Sequence, residues 1–318
     1  MSFVPFVVMY VFVVFVVAED LPAGFKPCER PGGASGRRDV KSRVTIPALQ
    51  QMKRDGRKIV GVVVYDYQMA QIVDRAGVDI VSVGDSVGVN MWGQQSELDV
   101  TLDQMLLACK AVRRGVEQAL VSCDFPYGPL QAGTDAAVRA AVYLIENGGA
   151  DMLKLDAASE YPDAVRAIAG EGIPVWAQFG ITPHTKERGK GAGGRGKETD
   201  ELVAEAKLLE QAGAVMLDFT HSGPVAGPAV TGAVAIPVIG GLGGGPWLDG
   251  RVRAAVNAIG YMATALDDTT ERYANVARTT LDAMKTYAED VRAARQIRGE
   301  PALRASLASP KPNGEGGR

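Results

Sequence analysis

From Ile59 onward the sequence alternates short β-branched runs with longer stretches of helical periodicity, at a spacing of roughly 25 to 35 residues. That beat belongs to repeated strand–helix units, in which successive strands lie parallel and the helices cover them. The pattern predicts strands at 59–64, 79–84, 119–124, 151–156, 174–180, 214–220, 236–240 and 252–258. Helices are predicted at 68–76, 102–114, 134–147 and 201–211. Eight strands point to a single-domain (β/α)8 barrel, the TIM-barrel class, with an open doubly wound sheet as the alternative. Glycine at the joints Ala76-Gly77, Gly148-Gly149-Ala150 and Ala212-Gly213-Ala214 supports the barrel, because a left-handed residue past each helix turns the chain into the next strand. With 47% apolar and 22% charged residues among 318, the chain can fill one large core and is not a disordered or disulfide-stapled sequence.

The ends do not follow the repeat. Phe3 to Ala18 is an unbroken apolar run, short for a membrane span and without a basic segment before it, since the first positive residue is Lys26. Three readings stay open: an extension with no bearing on the fold, a signal peptide or membrane anchor, or a packed segment. Residues 1–43 are therefore set apart as apolar segment and linker, 44–295 as the barrel, and 296–318 as a tail of disordered composition. A cytoplasmic location is the default, and a membrane is a partner only if the apolar run acts as an anchor.

Thirty-four Lys and Arg against 37 Asp and Glu give a formal charge of −3, so there is no general attraction to nucleic acid. Small molecules are the expected partners. Cys28, Cys109 and Cys123 are too scattered for a disulfide framework or a thiolate zinc site, and His184 and His221 are the only histidines. The carboxylates are placed more tellingly. Asp85, Asp124, Asp156 and Asp218 fall at the C-terminal ends of four predicted strands, and in a parallel barrel those ends share one mouth. Carboxylates gathered there repel one another unless a cation neutralises them, and an all-oxygen set suits Mg²⁺. Each Asp taken alone fits equally well as a helix cap. Lys154 stands two residues before Asp156 in "DMLKLD", on the same strand face, where it would hold an anionic substrate oxygen or pair with Asp156.

The segments "TIPALQQMKRDGRKIVGVVVYDY", "VGDSVG", "LDVTLDQMLLACKAVRRG", "CDFPYG", "LKLD", "FGITPH" and "IPVIGGLGGGPWLDGRV" occur in an order that resembles the ketopantoate hydroxymethyltransferase family, over about Val44 to Arg292. That family is grouped with the phosphoenolpyruvate mutase and isocitrate lyase barrels. The resemblance implies a Mg²⁺-dependent (β/α)8 enzyme that transfers a hydroxymethyl group from 5,10-methylenetetrahydrofolate to the 2-oxo acid 3-methyl-2-oxobutanoate. It also implies a homo-oligomer, commonly a decamer. Asp85 and Asp124 would hold the metal, with Asp156 where the family has a glutamate. Ser86 would bond the substrate carboxylate, and Lys154 would steady the charge of an enolate.

The departures bear on the base. Where the family has a glutamate at the end of strand six, this chain reads "AVMLDFTHSGP": an ungapped alignment puts Thr220 there, and a two-residue slip puts Asp218. Both point the same way, and His221 is a substitute base. Gln178 replaces the family's strand-five histidine, and His184 stands at a glutamine. The loop 185–197 is basic and glycine-rich, as a lid over an anionic substrate would be, and Asn257 stands where an acidic residue is usual. Two other functions remain open. One is a lyase or mutase of the wider barrel group, although neither Cys109 nor Cys123 lies on a gating loop. The other is a barrel that binds a 2-oxo acid without turnover.

Overall fold

In the computed structural model, which describes residues 43–181, 198–241, 245–295 and 297–299, eight parallel strands close into a barrel in sequence order. They are β1 (Ile59–Val64), β2 (Ile80–Val83), β3 (Leu120–Asp124), β4 (Met152–Leu155), β5 (Val175–Gly180), β6 (Met216–Thr220), β7 (Val238–Gly240) and β8 (Gly250–Ala254). The helices are α1 (Ile46–Arg54), α2 (Tyr67–Arg75), α3 (Val87–Trp92), α4 (Leu102–Gly115), α5 (Tyr127–Gln131), α6 (Thr134–Gly148), α7 (Pro162–Gly170), α8 (Thr199–Gln211), α9 (Ala226–Ala233), α10 (Ala255–Ala258) and α11 (Val276–Arg292). The fold is the (β/α)8 barrel. The glycine joints behave as expected, with φ of +79° at Gly77, +75° at Gly149 and +99° at Gly213. The apolar segment and linker before Arg43, His184 with the loop 185–197, residues 242–244 and the tail from 300 lie outside the described residues.

One strand needs correcting. The eighth runs from Gly250 to Ala254, and 255–258, expected to continue it, is the short helix α10. The pairing with β1 ends at Val63 and Ala254, so the alanine-rich residues beyond have no strand to bond and take the helical form they favour.

Period-two alternation sorts each strand into inward and outward residues. Ile59, Ile80, Leu120, Met152, Trp176, Met216, Ile239 and Val252, one from each strand, make a buried inner layer with Leu49 and Met52 of α1. Thr45 caps α1, which plugs the barrel at the end where the strands begin. Each of these side chains contributes roughly 1.5–3 kcal/mol by leaving water. The alternate residues, such as Val81, Val121, Leu153, Phe179 and Leu217, face the helices in a second buried cluster.

At the plugged end, carboxylates staple backbone: Asp79 accepts from Val60 N at 2.9 Å, Asp151 from Val121 N at 2.8 Å and Asp249 from Val238 N at 2.8 Å. Further along, the interior turns polar. Two residues beyond the apolar layer stand Ser82, Ser122, Lys154, Gln178 and Asp218, all inward by alternation. Among the described residues, no helix is long and apolar enough to cross a membrane.

Candidate active site

The barrel delivers most of the expected residues to one end. Asp124 is the last residue of β3, Asp156 follows β4 directly, Asp85 follows β2 after Gly84, and Lys154 lies on β4 between Asp124 and Asp218. The Lys154 ammonium is 3.2 Å from Asp124 Oδ2 and 3.8 Å from Asp218 Oδ2. It also lies 5.7 Å above the Trp176 ring, whose face favours a cation. Burial alone would lower the lysine pKa, but Asp124, Asp218, Asp85 and Asp156 outweigh it and hold the ammonium charged well above its ordinary range. The partner that the sequence offered for Lys154, Asp156, is not the one it bonds. Asp156 Oδ1 accepts instead from Ala157 N at 2.5 Å.

One lysine does not neutralise this many carboxyls. Asp85 is pushed well above the usual carboxylate range, first by burial and then by the charge of Asp124. Asp124 Oδ2 accepts from Asp85 N at 3.4 Å and from Lys154, while its Oδ1 is buried without a hydrogen-bond partner. A buried carboxylate oxygen left unbonded costs about 1–3 kcal/mol or more. A cation seated between Asp85 and Asp124 would remove both penalties, and oxygen-only donors suit Mg²⁺, which keeps several waters for itself. Among the described residues no group of three or more His, Cys, Asp or Glu side chains is placed to hold a metal, so the third proposed ligand, Asp156, is not brought into a cluster with Asp85 and Asp124.

The three candidate bases separate cleanly. The Thr220 hydroxyl donates to Phe179 O (3.0 Å) and Ile181 O (2.7 Å), which ties β6 to β5 and commits its proton to carbonyls. In this arrangement the hydroxyl fastens the two strands. His221 has φ +54° and an exposed side chain, and its Nδ1 lies 3.1 Å from Ile181 O. A bond to that carbonyl is donated by Nδ1–H, which turns Nε2 toward the rim. Asp218 is not at the strand end as expected but third of the five residues of β6, deeper in the barrel and 2% exposed. Burial raises its carboxyl to about 6, against the opposing pull of Lys154 and of Gly241 N, which donates to Oδ1 at 3.4 Å. Gln178 pairs with Asp218 in the ladder and faces inward beside it.

On the β1–β2 side, Ser86 caps α3 without bonding the helix backbone. Its Oγ lies 2.9 Å from Tyr65 OH, which also receives Asn90 Nδ2 at 2.7 Å. Burial raises the Tyr65 phenol above its usual range, so it stays protonated. Sequence reasoning noted Tyr65 only as part of a motif and did not notice Asn90. The signals were there: Tyr65 continues the inward parity of 59, 61 and 63, and Asn90 is four residues from Ser86 on one helix face. Also missed were Ser82 Oγ, Ser122 Oγ and Trp176 Nε1, all buried in the barrel without partners. Cys109 on α4 and Cys123 on β3 are both buried.

A family model described as ketopantoate hydroxymethyltransferase matches residues 43–296. The chain is 37% identical over 254 residues to the 3-methyl-2-oxobutanoate hydroxymethyltransferase of a Cyanothece species, spanning 78% of this chain and 96% of that one. It is 36% identical over 255 residues to the enzyme of the same name from Moorella thermoacetica, spanning 79% and 94%. Among solved structures it resembles 2,3-dimethylmalate lyase, described as a phosphoenolpyruvate mutase/isocitrate lyase superfamily member, with a TM-score of 0.52, 17% identity and coverage of 82% and 90%. It also resembles phosphonopyruvate hydrolase in complex with oxalate and Mg²⁺, with a TM-score of 0.53, 15% identity and coverage of 83% and 93%. At such identities the structural likeness speaks for the barrel alone.

Proposed function

The chain belongs to the ketopantoate hydroxymethyltransferase family, a family of transferases, and we propose that it adds a hydroxymethyl group from 5,10-methylenetetrahydrofolate to C3 of 3-methyl-2-oxobutanoate. The observation that carries this reading is the pairing of a cation-ready carboxylate couple, Asp85 and Asp124, with a buried carboxyl of raised pKa on the far side of one lysine. Asp85 and Asp124 are the residues that would hold Mg²⁺, which when bound polarises the keto group of the acid as a Lewis acid.

The chain's own residues divide the remaining work. Ser86 and Lys154 bind the substrate carboxylate, Gln178 bonds a further polar atom of the acid, and Asp156 supports the edge of the site. Asp218 removes the C3 proton. The electron pair of that C–H bond moves toward the keto oxygen, where Lys154 offsets the growing negative charge. One water adds to the methylene carbon of the folate, both of its C–N bonds break and the two nitrogens keep the water protons, which leaves tetrahydrofolate and a formaldehyde carbonyl. The carbon nucleophile attacks that carbonyl carbon, and the alkoxide formed takes back the proton held by Asp218. A base with a pKa of about 6 is ionised at neutral pH yet basic enough to take the proton.

The reading is tested by proton NMR of 3-methyl-2-oxobutanoate with the protein and Mg²⁺ in D₂O. Wild type should erase the C3 proton signal, and Asp218→Asn should slow that loss by about 10²–10⁴-fold while still binding the acid. Exchange at the wild-type rate in the variant would remove Asp218 as the base. Absence of exchange in wild type would overturn the assigned chemistry.

A further inference from the structure

Ser86 can serve an anion only if its hydroxyl proton points at that anion, and a serine hydroxyl rotates freely unless a neighbour fixes it. Here two neighbours do. Asn90 Nδ2 donates to the Tyr65 oxygen at 2.7 Å, which fills the best lone pair of the phenol. Tyr65 is only 6% exposed, so its own proton needs a protein acceptor, and the Ser86 Oγ stands 2.9 Å away. If Ser86 instead donated to Tyr65, the phenol would accept twice and its buried proton would have no acceptor, a loss of about 1–3 kcal/mol. Tyrosine therefore donates and serine accepts. The serine proton is then free, and it is not spent on the backbone, because Ser86 makes no side-chain cap bond to α3.

The chain holds this arrangement from two sides. Asn90 N bonds Ser86 O at 2.8 Å in the first turn of α3, so the Asn90 amide lies over Ser86 on one helix face. Gly84 leaves the space open, since a Cβ there would come within 2.6 Å of Val63 Cγ1 and 2.9 Å of Ser86 Oγ.

We infer that Tyr65 and Asn90 are positioning residues that fix the direction of the Ser86 proton, so that Ser86 donates to the carboxylate of the 2-oxo acid. The inference rests on the role given to Ser86 above and adds the two residues that make it a donor. Both act on the substrate through Ser86. Their effect passes through a single hydroxyl, and that gives the inference its test.

The experiment is a double-mutant cycle read by titration calorimetry of 3-methyl-2-oxobutanoate into the Mg²⁺-loaded full chain, with thermal melts confirming that every variant is folded. Tyr65→Phe should weaken binding about tenfold, the size of one hydrogen bond to a charged group. In a Ser86→Ala background the same change should weaken it no further. Asn90→Asp keeps the shape but turns the donor into an acceptor, so the phenol proton swings away from Ser86 and binding should weaken as for Tyr65→Phe. Equal losses from Tyr65→Phe with and without Ser86 would overturn the inference and leave the role of Ser86 standing. Wild-type affinity in Ser86→Ala would overturn both.

Discussion

Burial holds the Asp218 carboxyl at about 6, against 3.8 for an unperturbed aspartate, even with the Lys154 ammonium 3.8 Å away. The folded chain thus binds this proton more tightly than the unfolded chain does. Stability must then fall as pH rises from about 4 to about 6 and stay lower above that, by about 3 kcal/mol from this group. Comparing wild type with Asp218→Asn by urea denaturation in EDTA isolates the effect: the variant should gain on wild type by about that amount between pH 4 and pH 7. A pH-independent difference would show that Asp218 is not the buried carboxyl the structure describes. The sequence made part of this residue legible. Period-two parity in "DMLKLD" and "MLDFT" put Lys154 and Asp218 on inward faces, and the predicted strand end at 220 already leaves Asp218 two residues short of it, although its grouping with Asp85, Asp124 and Asp156 counted it among the strand ends. Its depth comes from Thr220, whose bonds to Phe179 O and Ile181 O extend β6 two residues past Asp218.

Among the elements, caps and joints were the readable features. Thr101 closes a capping box with Gln104 at the start of α4, and Asp66 caps α2 by accepting from Met69 N at 2.9 Å. Residues quoted for a family likeness, "YDY" and "VTLDQM", thus owe part of their pattern to helix starts. The strand that sequence misplaced, β8, is the one whose limits are set by closure rather than by apolar content. Its first residue shows why: a Cβ on Gly250 would meet Ile59 O at 2.1 Å and Ile59 C at 2.8 Å, both backbone atoms. Gly250→Ala should therefore force β8 off β1, where five residue pairs close the barrel from Ile59↔Gly250 to Val63↔Ala254. The expected loss is about 3 kcal/mol or more, above ordinary overpacking because backbone cannot turn aside. A urea midpoint equal to wild type would mean that the seam tolerates a methyl group.

At the scale of the molecule, the barrel is covered unevenly. The outward residues of β2 to β6 are buried under helices, but Val60 on β1 is 47% exposed, and Arg251 and Arg253 on β8 are exposed as well. The four-residue α10 is too short to cover that face. The long helix after it, α11, buries only Ala277 and Asp290 of its 17 residues. Met284, Tyr287 and Val291, spaced three and four apart along one side, are each more than half exposed. A helix of this length has little stability in water without an apolar face to pack on. A second copy of the chain would supply one, and the family likeness carries the expectation of such an oligomer. Light scattering on the full chain at micromolar concentration should show an assembly larger than one chain. Tyr287→Glu with Met284→Glu should shift it to smaller species without changing the circular dichroism of the barrel. A wild-type monomer, or an assembly indifferent to both charges, would mean that α11 takes its stability from within its own chain.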